Sequence, residues 1–408
     1  MIFFSVNVRG IRDKVKRKNI FEWCRKKEGK IIFLQETYST PEVEEDWKRD
    51  WGGTIIFNHG TNHSRGVLVL LAPSLELNVI ETVIDADGRC ICIKCEISDQ
   101  KFILGNVYFP TRDKEHLQID FLVQIEKFIH RLMDRDSSLI LGGDFNTVMN
   151  ENLDYMGMKK GLTSTIFKNV FNNFLDNYDL IDIWRKRHPH ERQYTFTQRS
   201  PVVQSRLDYW FISSKLRNLV NVCDILVSIT PDHSAITLRF SNFVENYSYG
   251  RSYWKFNNSL CADKDFVEGM KHWIIELEKI WRPQILDKIV FWDFMKMKIR
   301  EFARKFSQEK AKRRKDQIEI LEEEIKNLEK HLVNTPLKTV SDEIQIKKKE
   351  LENLYDYSRQ GLKVRSRAGW YEEGEKNMQY FTQLLESNKR KSIIKEICNK
   401  EGLFLKKE

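Results

Sequence analysis

The sequence predicts an α/β fold of packed sheets flanked by helices, followed by a charged helical region. Three observations carry this. Residues 1–240 alternate short apolar runs with polar turns, helical periodicity interrupts those runs in a few places, and the texture changes near residue 245. Strands are expected at 2–7, 31–35, 66–72, 89–97, 101–109 and 138–143, and again at 194–197, 206–212, 221–229 and 235–240. Between them, Leu117, Phe121, Ile125 and Ile129 fall at helical spacing within 115–134. Phe167, Val170, Phe171, Phe174 and Leu175 do so within 165–178.

Beyond the strands, "NYSYGRSYWKFNNSL" (246–260) reads as a linker or edge segment. Ile318, Leu321, Ile325, Leu328 and Leu332 step by heptad intervals, and "NTP" (334–336) should break that helix. A second helical stretch with Leu351 and Leu354 follows. An antiparallel hairpin is the modest reading, and an intermolecular coiled coil the alternative. The expected domains are 1–242, a linker and helical segment at 243–300, and a charged helical hairpin with its continuation at 301–408.

Charge is uneven. Of a net +9, residues 251–408 contribute 35 Lys and Arg against 27 Asp and Glu, which leaves the first 250 nearly balanced. The second part is thus the basic one, and nucleic acid is its natural polyanionic partner, although a solvated basic face explains charge alone. "KAKRRK" (310–315) fits a nuclear signal, a phosphate patch or a solvated helix face. No stretch is apolar and long enough to span a membrane. "MIFFSVNV" is too short for a signal peptide, so an intracellular, nuclear location with free thiols is expected. Cys90, Cys92 and Cys95 in "CICIKC" read as small core residues rather than a zinc site, because no second ligand group accompanies them.

"LILGGDFNTV" (139–148) is a buried strand that runs into Asp144 and Asn146. A turn is the simple explanation, with period two aiming both side chains the same way. Other strands end alike. Asn7 closes the first, Glu36 follows "IIFLQ", Tyr108 ends "KFILGNVYF", and Asp232 and His233 lie between the last two. Asp208 sits inside "RLDYWFI", where a buried carboxylate needs a partner, and His233 is a natural one. Hard carboxylate and amide oxygens suit Mg2+ beside a phosphate. No G-x-S-x-G nucleophile elbow and no P-loop is present. What remains is metal-assisted attack of water on a phosphate ester.

"NVRG", "LQET", "VYFP", "GGDFNT", "RLDYWF" and "PDHSAI" together resemble the endonuclease/exonuclease/phosphatase superfamily. The likeness is greatest to the AP-endonuclease-like domain of LINE-type non-LTR retrotransposon proteins, over roughly residues 1–240. It implies a four-layer αββα sandwich of two packed mixed sheets with outer helices. It also implies roles. Glu36 and Asn7 would hold Mg2+ (or Mn2+), with Asp232 a further metal-side carboxylate. Asp144 would position or deprotonate the attacking water, and Asn146 would orient that water or stabilise the transition state. Tyr108 would contact the scissile phosphate, and His233 would donate to it, held by Asp208. Thr195 matches a phosphate-contacting position. Arg199, in the loop 198–205, is a candidate DNA contact.

There are departures. Arg9 stands where relatives carry an acidic residue or Asn, and argues against a second metal there. Pro231 stands where Ser is frequent. Residues 363–397, with "W-x-x-x-G-E-K", resemble the segment that precedes reverse transcriptase in LINE proteins, so the chain should stop before that enzyme. The resemblance implies a Mg2+-dependent DNA endonuclease leaving a 3′-hydroxyl for target-primed reverse transcription. DNA is the implied partner, and element RNA a further one through the basic C-terminal part. A repair-type AP endonuclease or exonuclease, a lipid or inositol phosphatase, and an inactive relic that only binds nucleic acid are the rivals.

Overall fold

The computed structural model describes residues 1–111, 113–157, 163–199, 201–241, 256–334, 337–365, 396–398 and 404–406. The 246–255 part of the expected linker, Thr335 and Pro336, and most of the "W-x-x-x-G-E-K" segment lie outside them, as does the Arg199 side chain.

Two six-stranded mixed sheets form the core. In chain order the elements are β1 (Ile2–Asn7), α1 (Lys14–Lys26), β2 (Ile31–Gln35), α2 (Glu44–Trp51), β3 (Thr54–Asn58), β4 (Val67–Leu71), β5 (Asn78–Ile84), β6 (Cys90–Ile97), β7 (Gln100–Tyr108), α3 (Glu115–Leu132) and β8 (Ser138–Asp144). Then come α4 (Glu151–Asp154), β9 (Tyr155–Met156), α5 (Thr165–Asn177), β10 (Leu180–Asp182), α6 (Ile183–Arg187), β11 (Phe196–Arg199), β12 (Val202–Ser205), β13 (Asp208–Ser213), β14 (Val220–Leu226) and β15 (Ala235–Phe240). One sheet runs β14-β15-β1-β2-β4-β3 and the other β10-β13-β8-β7-β6-β5.

Their inner faces meet through Phe3, Phe33, Val69, Ile93, Leu104, Ile140, Trp210 and Leu238, all buried. Alternate residues of the second sheet, among them Ile103, Leu139 and Phe211, pack outward under α3 and α5. Strands buried on both faces read as continuous apolar runs, which is why β2, β4 and β8 are so plain in the sequence. Cys90 and Cys92 are buried on the outward side and Cys95 on the inward side, all as free thiols. They are core residues, as expected.

Four helices of the strand-rich part (α1, α2, α4 and α6) and several strands escape sequence reading. α1 is rich in Lys and Arg, which hides its apolar side. Asp13 caps it by accepting from the Lys16 amide, and Phe4 packs on its Trp23. Residues 198–205 are not a plain loop between sheet strands. β11 and β12 pair with each other, and β12 pairs on with β9, in a separate three-stranded sheet.

The two glycines of "LGGDFNT" have steric reasons. A Cβ on Gly142 would sit 2.2 Å from the Trp210 ring, and one on Gly143 would sit 2.0 Å from the Val107 carbonyl oxygen, at φ +145°. Gly143→Ala is therefore expected to cost at least the roughly 1–3 kcal/mol of a strained backbone, read as a lower urea midpoint. An unchanged midpoint would remove this account.

Chain contacts divide the protein into two units. The first takes in Met1–Asn246 with Glu322–Arg359, and the second centres on Tyr247–Leu321. Within the second, α7 (Lys264–Trp281) packs on the early turns of α8 (Lys288–Asn334) through Phe266, Phe302 and Phe306. Within the first, the last turns of α8 pair with α9 (Lys338–Arg365) as an antiparallel hairpin. Lys347 Nζ lies 2.8 Å from Glu324, Lys348 3.2 Å from Glu329, and the Tyr355 hydroxyl 3.2 Å from Glu322. Ile325 and Leu332 of the seam are fully buried there. The hairpin packs on α1, where the Lys26 ammonium stands 4.5 Å from the Tyr355 ring and Lys27 is 2.8 Å from Glu322. No described helix is long and apolar enough to cross a membrane.

Candidate active site

Register brings the polar strand ends together. In the second sheet Asp144 is level with Tyr108 on one side, through the parallel β7–β8 pair, and with Asp208 on the other, through the antiparallel β8–β13 pair. Asp208 is thus the first residue of its strand rather than an interior one. In the first sheet Asn7 is level with Gln35, and Glu36 follows at once. Beneath Glu36, the Gln35 amide donates to Asn106 Oδ1 at 2.7 Å, tying the two sheets through a buried polar link.

Asn7 joins the two halves. Its Nδ2 donates to Glu36 Oε1 at 2.9 Å and to Asp144 Oδ2 at 3.0 Å. The Arg9 amide donates to Asn7 Oδ1 at 3.0 Å. Tyr38 donates its hydroxyl to Glu36 Oε2 at 3.1 Å. His233 Nδ1 lies 3.1 Å from Asp208 Oδ2, and its Nε2 lies 4.0 Å from Asp144 Oδ2. Thr230 and Ser228 hydroxyls donate to the His233 carbonyl.

The electrostatics follow from burial. Desolvation, reinforced by the Asp208 charge, pushes the Asp144 carboxyl up to about 7, against the pull of His233, Asn7 and the Asn146 amide. Burial alone would lower His233. The charge and hydrogen bond of Asp208, with the Asp144 charge, overcome it and raise the imidazole to about 10. Burial, then Glu36 and Asp144, hold the Tyr108 hydroxyl firmly protonated.

β8 ends at Asp144, so period two does not reach Asn146. That residue turns left-handed (φ +47°), its amide donates to Asp144 Oδ1 at 2.9 Å, and its Nδ2 donates to the Phe109 carbonyl at 2.9 Å. Glu36 (φ +51°), Tyr38 (φ +57°) and Arg9 (φ +45°) are also left-handed, so four site residues hold uncommon backbones. Thr195 is 1% exposed, and its Oγ1 accepts from the Leu207 and Asp208 amides at 2.9 and 3.1 Å. Asp232 pairs with Arg9 at 2.5 Å, which gives that cation a partner no motif announced. Sequence reading also missed Tyr38, and, though it expected the helix α9, it did not foresee that Gln345 there donates to the Pro231 carbonyl at 2.5 Å.

The donor set fits a cation. Buried Asp208 Oδ1 and Asp232 Oδ1 have no hydrogen-bond partner among the described residues. Glu36, Asn7 and Asp144 add hard oxygens at the same rim. Asp144, Asp208 and His233 each offer a ligand atom, and these lie within 4.8 Å of one another, so that group too could hold a metal ion.

Comparison with known proteins agrees with this geometry. The profile of the Endonuclease/Exonuclease/phosphatase family matches residues 4–229. A transposon TX1 uncharacterized 149 kDa protein from Xenopus laevis is 27% identical over 89% of this chain, which spans only 27% of that protein's length. The DNA repair nuclease APEX1 of Danio rerio is 30% identical over 57% of this chain and 80% of its own. The 3′ phosphatase NExo from Neisseria, solved bound to a product DNA hairpin, has the same fold, with a TM-score of 0.50 and 19% identity over 59% of this chain and 99% of its own.

Proposed function

Because the chain belongs to the endonuclease/exonuclease/phosphatase family, we propose that it is a divalent-cation-dependent phosphodiesterase that nicks one DNA strand and leaves a 3′-hydroxyl. The observation that carries this is the His233–Asp208 pair facing Asp144 across 4.0 Å, with Asn7 linking Asp144 to Glu36. It sets a group able to donate a proton beside one able to accept it, at the rim where the polar strand ends meet.

Asp208 holds the imidazole by Nδ1, which leaves Nε2 to donate to a phosphate oxygen as charge develops. Asp144 takes the proton of the attacking water. Asn146 fixes the Asp144 carboxylate through its amide and orients that water. Tyr108, kept protonated, donates to the phosphate. Thr195 serves at one remove, because its hydroxyl fixes the backbone of Asp208. Glu36, Asn7 and Asp232 would hold Mg2+ or Mn2+, since His233 is already committed to Asp208. The ion, when bound, supplies Lewis-acid stabilisation of the phosphate charge.

The Transposon TX1 match runs beyond the catalytic strands into the helices. This supports a transposon-encoded nuclease over a repair enzyme, with the 3′-hydroxyl serving as a primer for reverse transcription. Supercoiled plasmid should convert to open circles with Mg2+ and stay intact with EDTA, and a polymerase should extend the nick directly. Nicking that survives EDTA, or nicks that no polymerase extends, would remove the metal or the 3′-hydroxyl from this reading.

A further inference from the structure

A second polar recess adjoins the site, inside the first unit. It is a shallow, partly open cleft whose walls include Arg192, Thr197, Gln204, Ser234, Lys326 and Lys330. Lys326 and Lys330 are one helical turn apart on α8, so both face the cleft. Glu329, between them, is committed to Lys348 at 3.2 Å. The three cations of the cleft have no salt-bridge partner among the described residues, so the recess carries uncompensated positive charge.

The cleft shares its backbone with the catalytic loop. The Thr197 amide donates to the Asp232 carbonyl at 2.9 Å and the Ser234 amide to the Thr195 carbonyl at 2.7 Å. The Phe196 ring lies 5.0 Å from the His233 ring. The wall of the cleft is therefore continuous with the loop that carries His233, so a strand bound at His233 has this cleft beside it. Gln204 points the same way. It is 2% exposed, and among the described residues its Oε1 has no partner and its Nε2 reaches only Thr197 Oγ1 at 3.4 Å. Turning the amide over lets Thr197 donate to Oε1 and directs two N–H groups into the cleft, where an anion would accept them.

We propose that this cleft is a non-catalytic phosphate site, in which Arg192, Lys326 and Lys330 grip the DNA backbone beside the nick. It rests on the nuclease reading and extends the DNA footprint onto α8, a helix far along the chain from the catalytic strands. Lysine ammonium groups suit it as point charges toward a phosphate, without base specificity.

The test compares the full chain with the double variant Lys326→Gln/Lys330→Gln, and separately with Arg192→Gln, all exposed positions outside the catalytic machinery. Affinity for a labelled DNA duplex is measured by anisotropy over a range of salt, in EDTA. The double variant should bind several-fold more weakly at low salt, and the slope of log affinity against log salt should fall by about 2. In nicking, KM should rise while kcat at saturating DNA holds. An unchanged slope and affinity, a loss seen only with RNA, or a lowered kcat with an intact slope would each overturn the proposal. If the parent binds DNA without nicking, the slope still decides it, and the catalytic reading alone fails. If the parent neither binds nor nicks, both fall.

Discussion

His233→Ala and Asp144→Ala should each lower plasmid nicking by about 10²–10⁴. Both groups expose little surface, at 6% and 1%, so neither change removes much of the area available to DNA. Affinity measured in EDTA should stay close to that of the parent while the rate at saturating DNA collapses. The two losses should not add, because donor and acceptor act on one transition state. His233→Ala also strands Asp208, whose Oδ1 already lacks a partner among the described residues. A thermal midpoint measured alongside the rate separates lost chemistry from lost fold. Equal nicking by parent and variants, with folding intact, would remove both residues from the mechanism.

Arg206→Met should destabilise the protein by about 3–5 kcal/mol, read from urea unfolding. The Arg206 side chain is 1% exposed and that of Asp154 is not exposed at all. The guanidinium meets Asp154 at 2.9 and 3.0 Å and Asp182 at 2.7 Å, and it stacks on Trp184 and Tyr209. Arg185, at 2.5 Å from Asp154, is the remaining cation of the group. Burial works to raise the Asp154 carboxyl, but Arg206 and then Arg185 hold it below its ordinary value. A depressed folded pKa means the pairing contributes fully above the ordinary carboxylate value, about 3.9, and is lost as pH falls through the folded one. The gap between parent and variant should therefore narrow on acidification below about pH 4. A gap that stayed constant would show that packing, rather than charge, sets the loss.

The sequence made the chemistry legible and left the geometry hidden. Asn7, Glu36, Asp144 and His233 stand out because polar residues end apolar strands. The apolar runs of β1, β2 and β15 were clear because both faces are buried. β5, with residues such as Ile80 and Ile84 largely exposed, and the two-residue β9 carry no such pattern. Tyr108, Asp144 and Asp208 lie level only because of strand register, which no local motif encodes. Arg9 could be marked as a departure, but its partner Asp232 is 223 residues away. The Asp154–Arg206 network was invisible for the same reason. "ENLDYMG" looks like an ordinary turn and "RLDYWFI" like a strand with no evident link to it, until the fold sets them side by side.

The helical hairpin has a consequence in time. β15 ends at Phe240, and all twelve strands of the two large sheets can pair once that residue has emerged from the ribosome. Pro231, Lys26 and Lys27 must wait for Gln345, Tyr355 and Glu322, with Tyr247–Leu321 synthesised in between. The loop bearing His233 is therefore braced last. During synthesis the nascent chain passes through a stage in which its nuclease strands are assembled and the hairpin that clasps them does not yet exist.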